Sequence, residues 1–401
     1  MFKSRAITFI LFTLMIDAIG IGIVFPIMPD LMDRVGAGNT GQGAFWGGLL
    51  MAAYAGALFL CGPIVGSISD AIGRRPVLIA ALVMLAIDYV IMALADSFWL
   101  LLLGRTLAGL AGATYVTATA YIADISTHQE KAANFGLIGA AFGIGFVLGP
   151  AIGGIAAEIS LSAPFWIAAA LSAANALFGF FALPESLSAE KRRPFGKRDL
   201  NPFKSILDAF RMPGLAIPLI CILIFEFANM VYPTIWAFWT REVFDWPSLY
   251  IGLSLAGYGV LLALVQGGLL PILIKRFGDF RTLMFGMVSA LIGMIGFGFT
   301  STITALVLFL VLAALSDLVP ALVTAMASNQ VDEDRQGVVQ GVIASLSSIA
   351  AVLSPLVMTI LFQLAVDGEG VYFPGASYIF AAALVFAMFP LVLRLRDHAS
   401  V

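Results

Sequence analysis

Long apolar runs alternate with short polar interruptions along the whole chain, and twelve of them reach the roughly 20 residues that an α-helix needs to cross a hydrocarbon core. Charged residues, prolines and glycines between the runs place the predicted spans at 6–28, 43–68, 75–95, 99–122, 132–157, 163–183, 213–237, 248–275, 282–301, 304–329, 336–363 and 373–394. A transmembrane β-barrel would show short segments of alternating polarity instead, and the chain has none. The pattern predicts an all-α membrane protein with 12 transmembrane helices.

Composition agrees. Of 401 residues, 61% are hydrophobic and 11% charged, with a mean hydropathy of +1.02, outside the range of soluble globular domains. The first residues, MFKSRAITFILF, have the look of a secretory leader, but the apolar run is too long and no small-residue cleavage site follows, so they read as an uncleaved first span. Cys61 and Cys221 fall in separate spans and make neither a disulfide nor a metal pattern. His128 and His398 lie in a loop and the tail, and no glycine-rich phosphate loop with Lys and Ser or Thr occurs. No metal, cofactor, ATP-driven step, enzymatic activity or nucleic-acid partner is expected.

Assigning loops alternately to the two sides of the bilayer puts 18 of the 21 Lys and Arg on one side, with both termini; Arg34 and Arg241 fall on the other side and Arg105 within a span. The positive-inside rule then makes both termini cytoplasmic, in a multi-pass protein of a bacterial-type inner membrane. The longest polar segment, Pro184 to Arg211, holds seven basic residues and divides the chain into an N-terminal six-helix bundle (1–183), a cytoplasmic linker (184–212) and a C-terminal six-helix bundle (213–401). The halves echo one another. GSISDAIGRRP after the second span has a weaker counterpart in GGLLPILIKRFGDFR after the eighth, and GFVLGPAIGG in the fifth has one in AVLSPLVMT in the eleventh. Pseudo-symmetric bundles of this kind build alternating-access carriers.

Several of these motifs carry a resemblance. Gly66-x-x-x-Asp70-x-x-Gly73-Arg74-Arg75, the fourth-span segment LLLGRTLAGLAGATYVTATAYIADIS with Arg105 and Gly109, and Gly145-x-x-x-Gly149-Pro150-x-x-Gly153-Gly154 together resemble the major facilitator superfamily over essentially the whole chain. AIDYVIMALA around Asp88, YIADI around Asp124 and an acid in the first span at Asp17 are similar to the tetracycline-efflux branch of its drug/proton antiporters. The chain departs from that branch at Leu58, at Leu262, near Phe299 and at Ala71, so the resemblance implies the transporter class and not tetracycline itself. It also implies that the loop after the second span latches the cytoplasmic side, that the fifth-span motif belongs to proton-driven antiport, and that the first, fourth, seventh and tenth helices line the substrate cavity.

The residues themselves support such chemistry. Gly66 and Gly73 let two helices join tightly, Asp70 is suited to accept from free N–H groups at a neighbouring helix start, and Arg74 and Arg75 hold the loop in the cytoplasm. The fifth-span glycines, Gly139, Gly143, Gly145, Gly149, Gly153 and Gly154, with Pro150, allow either static close packing or a bending interface. Five ionisable residues, Asp17, Asp88, Arg105, Glu226 and Asp317, fall inside spans, where each costs at least about 2.5–3.5 kcal/mol to insert. Asp88 and Arg105 sit equally far from the turn at Asp96 and Ser97, so they share a level on an antiparallel pair, where an ion pair serves coupling and structure alike. Asp17, Glu226 and Asp317 have no base nearby in sequence, and a carboxyl in an apolar cavity is one that takes up and gives off protons near neutral pH. Glu226 also suits a cationic substrate.

Substrate contacts are expected from Asp17, Glu226, Asn229, Tyr232 and Trp236, the last four at near-helical spacing, and from Gln266 in the eighth span. Ordinary helix packing is the other use for each aromatic. The function predicted is a monomeric, proton-coupled exporter of a small amphipathic organic compound or drug, whose partners are that substrate, protons and the lipid bilayer. A proton-linked uptake carrier for a nutrient or metal chelate is the alternative on the same fold, and a non-transporting receptor would leave five buried charges without a use.

Overall fold

The structure is a computed structural model that describes residues 2–112, 114–127, 129–193, 209–212, 214–332, 335–368 and 370–398. His128 and most of the expected linker, residues 194–208 with Lys197, Arg198 and Lys204, lie outside the described residues.

Among the described residues, 12 helices are long and apolar enough to cross a membrane: α1 (Ala6–Arg34), α2 (Thr40–Ile72), α3 (Arg74–Leu94), α4 (Phe98–Ile125), α5 (Ala133–Ala157), α6 (Ala163–Ala182), α7 (Ala216–Phe244), α8 (Ser248–Phe277), α9 (Asp279–Phe299), α10 (Ile303–Ser328), α11 (Gln336–Asp367) and α12 (Ala376–Leu395). Each corresponds to one predicted span. The ends differ most at prolines: α1 continues through Pro26 and Pro29 to Arg34, and α2 through Pro63 to Ile72. Surrounding helices tolerate the lost backbone bond in such settings. Residues 69–74, expected as the loop between the second and third spans, are therefore helical except at one corner. Gly73 makes that corner with φ of 114°, a conformation open to glycine and strained for residues with a Cβ.

Three helices are broken near their middles. α4 leaves regular helix at Gly112, after Ala111, α7 at Met230, between Asn229 and Val231, and α10 at Asp317, between Ser316 and Leu318. Pro233 and Pro320 explain two of the breaks, because neither has an N–H to give the carbonyl four residues earlier, at Asn229 and Ser316. α8 carries a π-helical turn at Val265–Leu269, which includes Gln266.

The chain packs as two compact units: Met1–Gly38, Ala53–Asn201 and Trp246–Ala256 form the first, and Asn39–Ala52, Pro202–Asp245 and Gly257–Val401 the second. Of the spans, α2 and α8 each have one portion in either unit. In the first unit, Phe9, Ile10, Leu14, Leu78, Leu82, Tyr121 and Ile138 join α1, α3, α4 and α5 in one apolar core. Glycines set the closest approach. A Cβ on Gly149 would stand 2.6 Å from the Ile19 carbonyl and 2.8 Å from Gly22 Cα, and one on Gly153 would stand 2.6 Å from the Ile23 carbonyl. Gly154 turns instead to α8, where a Cβ would stand 2.7 Å from the Ser248 carbonyl. Gly139 and Gly143 meet nothing within 4 Å. Arg34 ties three helix ends together, donating to the Met92 and Ala93 carbonyls at the end of α3 and to Ser162 Oγ before α6.

In the second unit, Leu219, Ala327, Val339, Val342 and Leu346 form a core between α7, α10 and α11. Gly48 of α2 lies against Thr359 and the Pro355 carbonyl of α11. Large apolar side chains also cover much of the surface, among them Phe181 at 77% exposure and Trp99 at 73%, as a surface facing lipid requires.

Candidate functional site

The short connection between α3 and α4 brings two charges to one depth. Arg105 of α4 donates to and pairs with Asp88 of α3, and both are buried, at 6% and 0% exposure. Two glycines make the room: a Cβ on Gly104 would stand 2.7 Å from Asp88 Oδ1, and one on Gly20 would collide with the Tyr89 hydroxyl. The Arg105 guanidinium also lies over the Tyr54 ring, 5.8 Å from its centroid. Tyr54 and Tyr89 are within electrostatic range of Asp17, Asp88 and Arg105. Asp17 is buried at 5% exposure, and its Oδ1 has no hydrogen-bond partner among the described residues. Tyr54 and Tyr89 are absent from the residues predicted above. For Tyr54 the available signal is an aromatic set among small residues, AAYAGA, midway along a span.

A second constellation forms in the other unit, at the breaks of α7 and α10. Asp317, at the α10 break, accepts from the hydroxyl of Tyr258 on α8 and, at 3.3 Å, from Asn229 Nδ2 at the α7 break. Glu226 lies one turn before Asn229 and within electrostatic range of Asp317. The two donors to Asp317 are neutral, so this carboxyl is held without a cation among them. Sequence reasoning gave Glu226, Asn229 and Asp317 but missed Tyr258, which nothing in its local sequence distinguishes.

The aromatics expected to contact substrate are enclosed. Trp236 is 2% exposed and packs on Trp239 and Phe297, and Tyr232 is 7% exposed among Tyr258, Phe297 and Tyr378. The Tyr232 hydroxyl has no hydrogen-bond partner among the described residues. Gln266 is exposed within the π-helical turn of α8.

A third cluster surrounds the Gly73 corner. Asp70 of α2 pairs across the Gly73 corner with Arg74, the first residue of α3, at 2.5 Å, and Arg74 also reaches Asp124 Oδ2 at 3.2 Å and Ser69 Oγ at 2.6 Å. The carboxylate that accepts from the N–H groups opening α3 is Glu185, at 2.9 Å from Arg74 N and 3.2 Å from Arg75 N. Asp70 was the expected acceptor at a helix start; in the structure Glu185 makes that bond. Arg75 donates to the Phe180 carbonyl and Ser186 to Asp124, which ties the ends of α2, α3, α4 and α6 into one network.

Comparisons with known proteins identify the family. The model of the Major Facilitator Superfamily matches residues 10–355. The chain is 38% identical to the class C tetracycline resistance protein of Escherichia coli over 98% of this chain and 97% of that one, and 34% identical to the class E protein of the same species over 90% and 88%. Among solved structures, the human organic anion transporter MFSD10 (TETRAN) superposes with a TM-score of 0.71 at 25% identity, covering 97% of this chain and 99% of that one. The chain is a multi-pass membrane protein and belongs to the Major Facilitator Superfamily of transporters.

Proposed function

We infer that the protein is a proton-coupled antiporter that exports a small amphipathic organic compound, of tetracycline-like or broader drug chemistry, from a bacterial cell. The observation that carries this reading is the burial of Asp17 and Asp317 midway along membrane helices with no cation among the described residues bonded to either, in a chain so similar to tetracycline resistance proteins. A carboxylate in such a place is costly when charged and unpaired, and binding a proton removes that cost. Alternating exposure of such a group to an acidic outside and a less acidic inside carries the proton down its gradient.

In this reading Asp17, Asp317 and Glu226 exchange protons, and the Asp88–Arg105 pair sets the local field around Asp17. Substrate meets the polar face made by Glu226 and Asn229, with Tyr232 and Gln266 as further donors. Trp236 acts from behind, by fixing the α7 backbone. The Gly66, Asp70, Gly73, Arg74, Arg75 and Asp124 network and the α5 glycines Gly145, Gly149 and Gly153 with Pro150 form the moving joints. Both termini are cytoplasmic, as the bias of the basic residues requires, the membrane is the inner one, and the monomer is the working unit.

Everted membrane vesicles energised by respiration test this directly. Labelled tetracycline accumulates inside them against its gradient, and a protonophore abolishes the accumulation. Accumulation indifferent to the protonophore, or drug movement in the opposite sense, would overturn the reading.

A further inference from the structure

We propose that Tyr258 is a positioning residue for proton coupling, whose hydroxyl orients the Asp317 carboxyl and ties the proton's arrival there to α8. The proposal rests on the reading of Asp317 as a proton carrier and extends it to a residue outside that set.

Three observations support it. First, the Tyr258 hydroxyl donates to Asp317 Oδ2 while Asn229 donates to Oδ1, so each carboxyl oxygen has one neutral donor. Donors of this kind favour the ionised carboxylate, and a proton arriving on Oδ2 displaces the Tyr258 bond. Asn229 lies just before the break in α7 and Asp317 at the break in α10, where the lost backbone bonds make both helices easier to bend. Tyr258 alone of the three sits within a continuous helical segment, Ser248–Leu264.

Second, the earlier part of that segment is fastened elsewhere. Ser248 Oγ donates to the Pro26 carbonyl and to Asp30 of α1, and a Cβ on Gly252 would collide with the Pro150 carbonyl of the α5 motif. Six residues, about 9 Å of helix, separate Gly252 from Tyr258. The hydroxyl that reaches Asp317 therefore comes from a helical segment whose first turns are held by α1 and α5.

Third, the described groups that face Asp317 are neutral or acidic. Glu226 and Asn229 face it from α7 before the break, Tyr232 from α7 after it, and Tyr258 from α8. Glu226 is the one carboxylate in this set, and none of the four is a cation.

The test uses full-length protein in proteoliposomes loaded with a pH dye, with tetracycline as the driving ligand and the external pH varied. Wild type, Tyr258→Phe, Asp317→Asn and protein carrying 3-fluorotyrosine at position 258 are compared, each checked for folding by thermal unfolding. Loss of the phenolic donor makes the carboxyl easier to protonate, so Tyr258→Phe moves the pH midpoint of drug-evoked proton flux upward by about one unit. The fluorinated phenol is a stronger donor of nearly the same shape, so it moves the midpoint downward, and it keeps the question open to measurement if Tyr258→Phe does not fold. Midpoints unchanged in both proteins, with flux lost in Asp317→Asn, overturn the role of Tyr258 and leave Asp317 as carrier. Wild-type flux in Asp317→Asn overturns the underlying reading itself.

Discussion

Gly149→Ala adds one methyl group where α5 meets α1. That methyl would stand 2.6 Å from the Ile19 carbonyl oxygen and 2.8 Å from Gly22 Cα, whereas ordinary contact begins at 3.4 Å. Both obstacles are backbone atoms, so no side-chain rotation relieves the clash, and the two helices must part by about 0.8 Å along a seam that Gly145 and Gly153 also hold tight. Overpacking of this kind costs about 1–3 kcal/mol, and the gain of about 0.5–1 kcal/mol from replacing a mid-helix glycine offsets only part of it. Gly143→Ala is the matched control, because that glycine lies in the same helix and meets nothing within 4 Å. Thermal unfolding in detergent and tetracycline transport in vesicles are the assays. Gly149→Ala is expected to melt lower than Gly143→Ala and to transport more slowly, while the control stays at the wild-type level or above. Equal melting and equal transport for the two would refute the close-packing role assigned to the α5 motif.

Other substitutions probe the remaining clusters. Glu185→Ala removes the acceptor of the Arg74 and Arg75 N–H groups and is expected to cost about 1 kcal/mol in thermal unfolding, as loss of a helix cap does. Gly73→Ala forces a Cβ onto a φ of 114° and into the Glu185 carboxylate, so a loss of about 1–3 kcal/mol is expected in the same assay. Arg105→Ala leaves Asp88 buried without its partner and should lower stability by about 3–5 kcal/mol, visible as lost yield of folded protein. Replacing both residues, Asp88→Leu with Arg105→Leu, should restore much of that yield but not transport, because the charges go together.

The twelve spans were legible because a helix in lipid must satisfy every backbone group itself, and that demand writes its length into the apolar runs. The Asp88–Arg105 pair was legible for a related reason: a short turn fixes the register of two antiparallel neighbours. Contacts between distant segments left no such trace. Glu185 stands 111 residues from Arg74 and Tyr258 stands 59 from Asp317, so nothing local marks either bond. The charge of Asp70 pointed to a helix-start acceptor, yet α2 runs on past Asp70 to Ile72 and the Gly73 corner brings the Arg74 guanidinium to that carboxylate first. Helix breaks at Met230 and Asp317 are shown in sequence by the prolines three residues on, at Pro233 and Pro320, a signal weakened by Pro26, Pro29 and Pro63, through which helices continue. For Trp236, spacing placed it on the face of Glu226 but said nothing of Phe297 and Trp239, whose rings enclose it.

The central claim is that substrate and protons move in obligatory exchange through buried carboxylates. Proteoliposomes loaded with a pH-sensitive dye and given tetracyclines and other amphipathic drugs test it most directly, with wild type beside Asp17→Asn and Asp317→Asn. The account predicts a drug-evoked proton flux in wild type that disappears in both variants while each remains folded. Undiminished flux in the variants, or drug transport in wild type with no proton movement, would contradict it.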